Sequence, residues 1–208
     1  MNLTNIQRVV KLTSALVRQP DLIIPWIRWS LLCKRMPFEI EMPWWSFRAI
    51  QAMDSIASGK RIFEWGTGGS TVRYGKVAQK ILAIEDDREW LTKVSRACEE
   101  RRLQNVEIRH CPFDFHKPAK FDESGYLRAL DSVQWDIIII DGQDHTFNER
   151  LVCFAHAENF IRLGSIIIVD DFWRYHILLS NNKAKMIKIH ESAGPCRIGV
   201  TQTAFFYY

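Results

Sequence analysis

The sequence predicts an α/β fold: an open, seven-stranded, mostly parallel sheet with helices on both faces, an antiparallel hairpin at the C-terminal edge and a helical extension at the N-terminus. Three observations carry this. From residue 61 to residue 182, apolar runs of strand length alternate with segments of helical periodicity. The first run closes in a glycine turn, Gly66-Thr67-Gly68-Gly69, which opens the next helical segment. The chain ends in two β-rich runs, 186–190 and 201–208, joined by the Gly194-Pro195 turn with no helix between them, so they pair antiparallel.

Taken in order, Ile6, Val9, Val10, Thr13, Leu16 and Val17 share one face of a helix over 4–18, which Pro20 ends. That face needs a partner. Residues 22–36 combine Trp26 and Trp29 with Arg28, Lys34 and Arg35. Pro43 opens a helix that runs to Ala57 and stops at Ser58-Gly59. Strand 61–65, helix 70–79, strand 80–85, helix 87–102 and strand 105–110 follow. The run Trp135-Asp136-Ile137-Ile138-Ile139-Ile140 is the clearest buried strand, and helix 147–162, strand 165–169 and a short helix over 172–182 come after it. The organisation is thus a helical extension or cap, 1–42, and one α/β domain, 43–208.

Composition narrows the function. The 208 residues are 47% hydrophobic, enough for one substantial core. A net charge of +4, from 28 basic and 24 acidic residues, is too slight to argue for nucleic acid. The five cysteines contain no C-x-x-C pair, which speaks against a disulfide framework or zinc knuckle and for a reducing, cytoplasmic setting. No membrane span or signal peptide is legible. Arg8, Lys11, Arg18, Arg28, Lys34 and Arg35 nonetheless load the first 35 positions against Asp21 alone. A cap packed on the core or on a second subunit is the preferred reading of residues 1–36, with a peripheral membrane contact as the alternative.

The candidate site begins at Glu64-Trp-Gly66-Thr67-Gly68-Gly69-Ser70. Thr71 stands where a dinucleotide fingerprint has its third glycine, and Glu64, two residues before the first glycine, would repel a pyrophosphate but receive a cationic ligand. Glu85, twenty-one residues on at the end of the next strand, is placed for ribose hydroxyls. The pattern E-x-G-x-G followed by that acid resembles the class I S-adenosylmethionine-dependent methyltransferases, which have a Rossmann-like sheet ending in a hairpin. The resemblance implies S-adenosylmethionine as cofactor, held by Glu64, Gly66, Thr67, Gly68, Gly69, Ser70, Glu85, Asp86 and Asp141. It also implies adenine contacts after the third strand, where Phe113 could stack and Asp114 accept from the exocyclic amine.

The predicted strands repeatedly finish in acids: Glu64, Glu85, Asp141 and the pair Asp170-Asp171. Carboxylates crowded on one rim repel each other unless a cation is bound. Asp141, Asp170 and Asp171 therefore suggest Mg²⁺, which would ease loss of a proton from an acceptor hydroxyl; a helix cap is the alternative for Asp171. The segment I-D-G-Q-D-H with G-S-I-I-I-V-D-D-F-W resembles the metal-dependent macrocin and novobiocin sugar O-methyltransferases, whose metal ligands match Asp141, Asp170 and Asp171. It departs at Gln143, where that group carries its proposed base. Asp144-His145-Thr146-Phe147 also resembles the D-G-D-H-x-Y motif of a broad, poorly characterised bacterial methyltransferase family, with one residue inserted after Gly142. The resemblance covers about residues 43–172.

The expected activity is methyl transfer to an oxygen of a small polar or sugar-like acceptor, with metal assistance and with Asp144 or His145 as the base. Two alternatives stay open: a metal-free methyltransferase acting on nitrogen or a lipid-linked acceptor, and a nucleoside-binding module without catalysis that works through its N-terminal helices. Trp65, Trp90 and Trp135 are expected in the core.

Overall fold

A computed structural model of the chain describes residues 5–117 and 120–208. Helix α1 (Asn5–Arg18) lies along the terminal hairpin, and its expected start at residue 4 is outside the described residues. A 3-10 turn at Pro20–Leu22, the short α2 (Ile23–Trp26), a wider π-type turn at Ile27–Leu32 and α3 (Pro37–Ile40) complete the extension. Helix α4 (Phe47–Asp54) starts later than Pro43 because Ser46 is the cap, its Oγ accepting from the Ala49 amide at 3.1 Å. The Pro43-Trp44-Trp45 stretch is thereby left outside the helix.

Seven strands follow the order β3-β2-β1-β4-β5-β7-β6. They are β1 (Arg61–Trp65), β2 (Lys80–Glu85), β3 (Val106–His110), β4 (Ile137–Ile140), β5 (Ile166–Val169), β6 (Met186–Ala193) and β7 (Val200–Tyr207). The two terminal runs pair antiparallel as expected, β7 lies between β5 and β6 and is antiparallel to both, and the other pairings among the described residues are parallel. The connecting helices are α5 (Gly69–Gly75), α6 (Arg88–Glu100), α7 (Gly125–Arg128) and α8 (Glu149–Ala157).

Alternation along the strands separates two cores. Ile138 and Ile140 of β4 face a cluster with Phe154 of α8, Tyr126 of α7 and Phe206 of β7. Ile137 and Ile139 face the opposite cluster, with Ile50 and Met53 of α4, Tyr74 of α5 and Phe205. Leu12 and Leu22 join this second cluster, so the extension shares the core of the sheet.

Two expectations are corrected. The apolar stripe of α1 is not the face that packs: Leu12 and Ala15 are buried, whereas Ile6, Val9, Val10 and Val17 remain exposed. Seating Leu12 and Ala15 on the hairpin also brings Lys11 to Glu191, at 3.5 Å. The helix expected over 172–182 is instead two 3-10 turns, Phe172–Arg174 and His176–Leu179. Asp171 enters them in a left-handed conformation (φ 50°), and the Tyr175 hydroxyl between them donates to Asp144 at 2.7 Å.

Candidate functional site

The strand order reverses between β1 and β4, and a crevice opens beyond the carboxyl ends of the strands there. It encloses about 420 Å³ and is lined by the whole loop Gly66 to Ser70. Gly66 has φ 93°, and a Cβ there would stand 2.9 Å from the Asp141 carbonyl, so no other residue lets β1 turn so close to β4. Gly69 is equally constrained, since a Cβ would meet the Met42 carbonyl at 2.3 Å.

Glu64 sits beneath this loop rather than in the crevice. It is 1% exposed and accepts hydrogen bonds from the hydroxyls of Ser70 and of Thr71, the latter at 2.7 Å. Burial raises its pKa to about 8 against the pull of those two donors. The short hydroxyl side chains of the first turn of α5, Ser70 and Thr71, reach the carboxylate expected to face a ligand amino group, and it pins the loop.

Glu85 does line the crevice. Its carboxylate accepts from Thr67 Oγ1 at 2.6 Å and from the Asp86 and Asp87 amides at 3.0 and 3.1 Å, which fixes it at the end of β2. Asp86 lies beside it, with its pKa pushed up to about 7 by burial and by Glu85. Gln143 reaches over from the β4 side to donate to Asp86 at 3.2 Å. Trp90 also lines the crevice, donating to the Thr67 carbonyl at 2.8 Å, while Trp65 and Trp135 are core residues.

Asp141, Asp170 and Asp171 all border the crevice, but arginines stand beside the carboxylates of Asp141 and Asp171, and Thr203 beside that of Asp170. Arg150, in the first turn of α8, approaches Asp141 at 3.3 Å and donates at 2.9 Å each to the carbonyls of Gly142 and Asp170. Trp45 adds a 2.9 Å hydrogen bond to the other Asp141 oxygen. Asp170 accepts from Thr203 at 2.6 Å, and Arg197 lies 3.6 Å from Asp171. Burial raises Asp141, and Asp170 well above the carboxylate range; Asp171 is held below that range because Arg197, Arg150 and Arg174 outweigh its burial. Among the described residues no group of three His, Cys, Asp or Glu side chains is arranged to hold a metal ion. The donor set does not fit Mg²⁺, because guanidinium groups already supply positive charge to the acids expected to ligate it.

The expected bases and adenine contacts lie elsewhere. Asp144 is buried on the far side of its loop, accepting from Tyr175 and from the Arg150 amide, and burial beside Glu149 raises its pKa. His145 is exposed, its ring 4.5 Å from that of His116. Phe113 packs on Phe115 and Phe121, each at 5.0 Å, and the exposed Asp114 accepts from the His116 amide at 3.0 Å. None of these four lines the crevice.

Sequence reasoning passed over Trp44, Trp45, Arg150 and Arg197, and met Gln143 only as a departure from a family pattern. For Arg150 a signal existed: a cation in the first turn of a helix opposes the helix dipole and calls for a local acid. A second cavity of about 450 Å³ adjoins the crevice, lined by residues of α1, by Trp173 and by the β6–β7 connection, and the two share Trp44, Asp171 and Arg197.

No family model matches the sequence, and no curated protein matches it. Solved structures do. The O-methyltransferase TomG from Streptomyces achromogenes, involved in tomaymycin synthesis and in complex with SAM, is 16% identical, with 100% of this chain and 93% of that chain covered at a TM-score of 0.58. A Klebsiella pneumoniae protein provisionally described as an O-methyltransferase is 15% identical over 95% of this chain and 99% of that one, with a TM-score of 0.62. The precorrin-6y C5,15-methyltransferase from Geobacter metallireducens is 13% identical over 77% and 87%, with a TM-score of 0.55. The chain has the Rossmann-like fold of these methyltransferases.

Proposed function

We propose that the chain is an S-adenosylmethionine-dependent methyltransferase that methylates an oxygen of a small polar or sugar-like acceptor. One observation carries the reading: the crevice at the strand switch point is lined by six acidic side chains, Glu85, Asp86, Asp87, Asp141, Asp170 and Asp171, and two guanidiniums, Arg150 and Arg197, and burial holds protons on acids such as Asp86 and Asp170 that a cation would displace. That excess of acid suits a cationic ligand and opposes a pyrophosphate. When bound, S-adenosylmethionine supplies an electrophilic methyl group on a sulfonium centre.

The protein's own part is to position and to exclude water. The Gly66–Ser70 loop lets a ligand approach the backbone, and Glu85 is fixed to accept from ribose hydroxyls. Asp171 faces both cavities, ionised and in a strained conformation, so it is in place to accept a hydrogen bond from the acceptor hydroxyl and, as the methyl group is transferred to that oxygen, to take its proton and pass it to solvent.

Isothermal titration of the chain with S-adenosylhomocysteine and with NAD tests this. Saturable binding of the former and none of the latter is the expected result. The reverse pattern would replace the methyltransferase by an oxidoreductase, and binding without turnover on any acceptor would leave a nucleoside-binding module.

A second reading concerns where the enzyme works. Among the described residues no helix is long and apolar enough to cross a membrane. The extension nevertheless exposes the aliphatic side chains Ile6, Val10, Val17, Ile24, Leu31 and Leu32, and the same stretch of sequence carries Arg18, Arg28, Lys34 and Arg35. Asp21 does not offset these cations, being paired with Arg48 at 2.8 Å. A second copy docking there would set like charges together, so we infer that this face rests on an anionic lipid surface. All five cysteines are free, which fits a cytoplasmic leaflet.

A further inference from the structure

We propose that the second cavity takes an acceptor that carries a negative charge next to a ring, the charge being a carboxylate or a phosphate. The inference rests on the methyltransferase reading of the adjoining crevice, and it adds the class of molecule that is methylated. The wall of this cavity holds three cations, Arg8, Lys11 and Arg197, and one carboxylate, Asp171. The polarity is thus the opposite of that in the crevice, although the two spaces share a wall at Trp44, Asp171 and Arg197. Asp171 offsets Arg197 at 3.6 Å, and Lys11 has a distant surface partner in Glu191 at 3.5 Å. Arg8 has no hydrogen bond or ion pair among the described residues, so its charge is free for a ligand.

Two indoles complete the wall. Trp44 and Trp173 are 44% and 49% exposed, unusual for large aromatic side chains in a cavity unless a flat partner covers them. Trp173 is already fixed: its Nε1 donates to Asp171 at 3.3 Å and the Arg174 guanidinium lies 5.4 Å from its ring centre. A ring stacked on these indoles would stand beside Asp171, the carboxylate that also borders the crevice, with its anionic group within the field of Arg8, Lys11 and Arg197. A cationic acceptor would be repelled, and a neutral one would leave Arg8 unanswered.

The experiment uses the full chain saturated with S-adenosylhomocysteine and follows tryptophan fluorescence during titration with benzoate, phenyl phosphate, benzamide, phenol and inorganic phosphate. At least one ring-bearing anion is expected to bind tenfold or more tightly than its neutral counterpart, and phenyl phosphate or benzoate ahead of the other identifies the anionic group. Inorganic phosphate should bind more weakly than phenyl phosphate. The double variant Arg8→Ala/Lys11→Ala should erase the preference for charge while keeping the affinity for S-adenosylhomocysteine, because neither residue lines the crevice. Equal affinity for charged and neutral rings, no saturation by either anion, or a preference that survives in the double variant would overturn the proposal. Inorganic phosphate binding as tightly as phenyl phosphate would overturn its ring component. If the anions bind and S-adenosylhomocysteine does not, the anion site stands and the methyltransferase reading falls.

Discussion

Arg150 and Asp141 lie 3.3 Å apart at the mouth of the β4–β5 boundary, with Arg150 8% exposed and hydrogen bonded to the carbonyls of Gly142 and Asp170. One guanidinium thereby joins the ends of two adjacent strands and relieves the repulsion of the acids between them. Replacing it by methionine keeps volume but leaves Asp141 uncompensated. We expect Arg150→Met to lose about 3–5 kcal/mol in denaturant unfolding. A loss below 1 kcal/mol would show that the pair does not organise this edge. EDTA should change neither stability nor affinity for S-adenosylhomocysteine in the parent protein.

Glu85 is held by one hydroxyl and two backbone amides, so its carboxylate is prepared before any ligand arrives. Exchanging it for glutamine weakens an acceptor for ribose hydroxyls, each such charged bond being worth roughly 1.5–3 kcal/mol. Glu85→Gln is expected to weaken S-adenosylhomocysteine binding at least tenfold by calorimetry, with the circular dichroism spectrum unchanged. Parental affinity in this variant would remove Glu85 from the site.

Buried Glu64 makes stability depend on pH. Its pKa is raised from 4.5 to about 8 in the folded chain, so between those values the folded state holds a proton that the unfolded state has released. Stability contributed by the protonated group is therefore full below about pH 4.5, falls as pH rises and levels off above about pH 8. Asp86, raised from 3.8 to about 7, acts in the same direction. Urea unfolding at several pH values should show a smaller decline from pH 5 to 8 in Glu64→Gln than in the parent. Identical slopes would mean that Glu64 is ionised in the folded state.

Phe206 of β7 is fully buried, with its ring 4.7 Å from Phe154 and 5.8 Å from Phe172. Phe206→Ala should cost about 3–5 kcal/mol, by lost burial and by the cavity left behind. A cost near zero would contradict the insertion of β7 between β5 and β6.

Anionic vesicles offer the test of the extension. The chain should sediment with phosphatidylserine-containing vesicles, less so at high salt, and Val10→Asp/Val17→Asp should abolish this without unfolding the protein, since both side chains are exposed. Failure to sediment, together with a concentration-dependent dimer, would transfer this face to a second copy.

What the sequence determined by itself is the architecture and the place of the site. Strand alternation, the isoleucine run and the glycine turn are local signals, written in neighbouring residues and enforced by backbone sterics and burial. They placed β1 to β7, the turn at Gly66 and the acids Glu85, Asp141, Asp170 and Asp171 at the crevice. Tertiary structure alone decided what each acid does. Glu64 at the end of its strand and Asp144 in the loop after β4 both read in sequence as site acids, yet the first is claimed by Ser70 and Thr71 and the second by Tyr175. Trp45 and Asp141 meet across 96 positions of chain, and Arg197 reaches Asp171 from the far hairpin. Such pairings depend on which loops the sheet brings together in space, and a carboxylate whose partner lies that far along the chain is read as a metal ligand until the guanidinium beside it is seen.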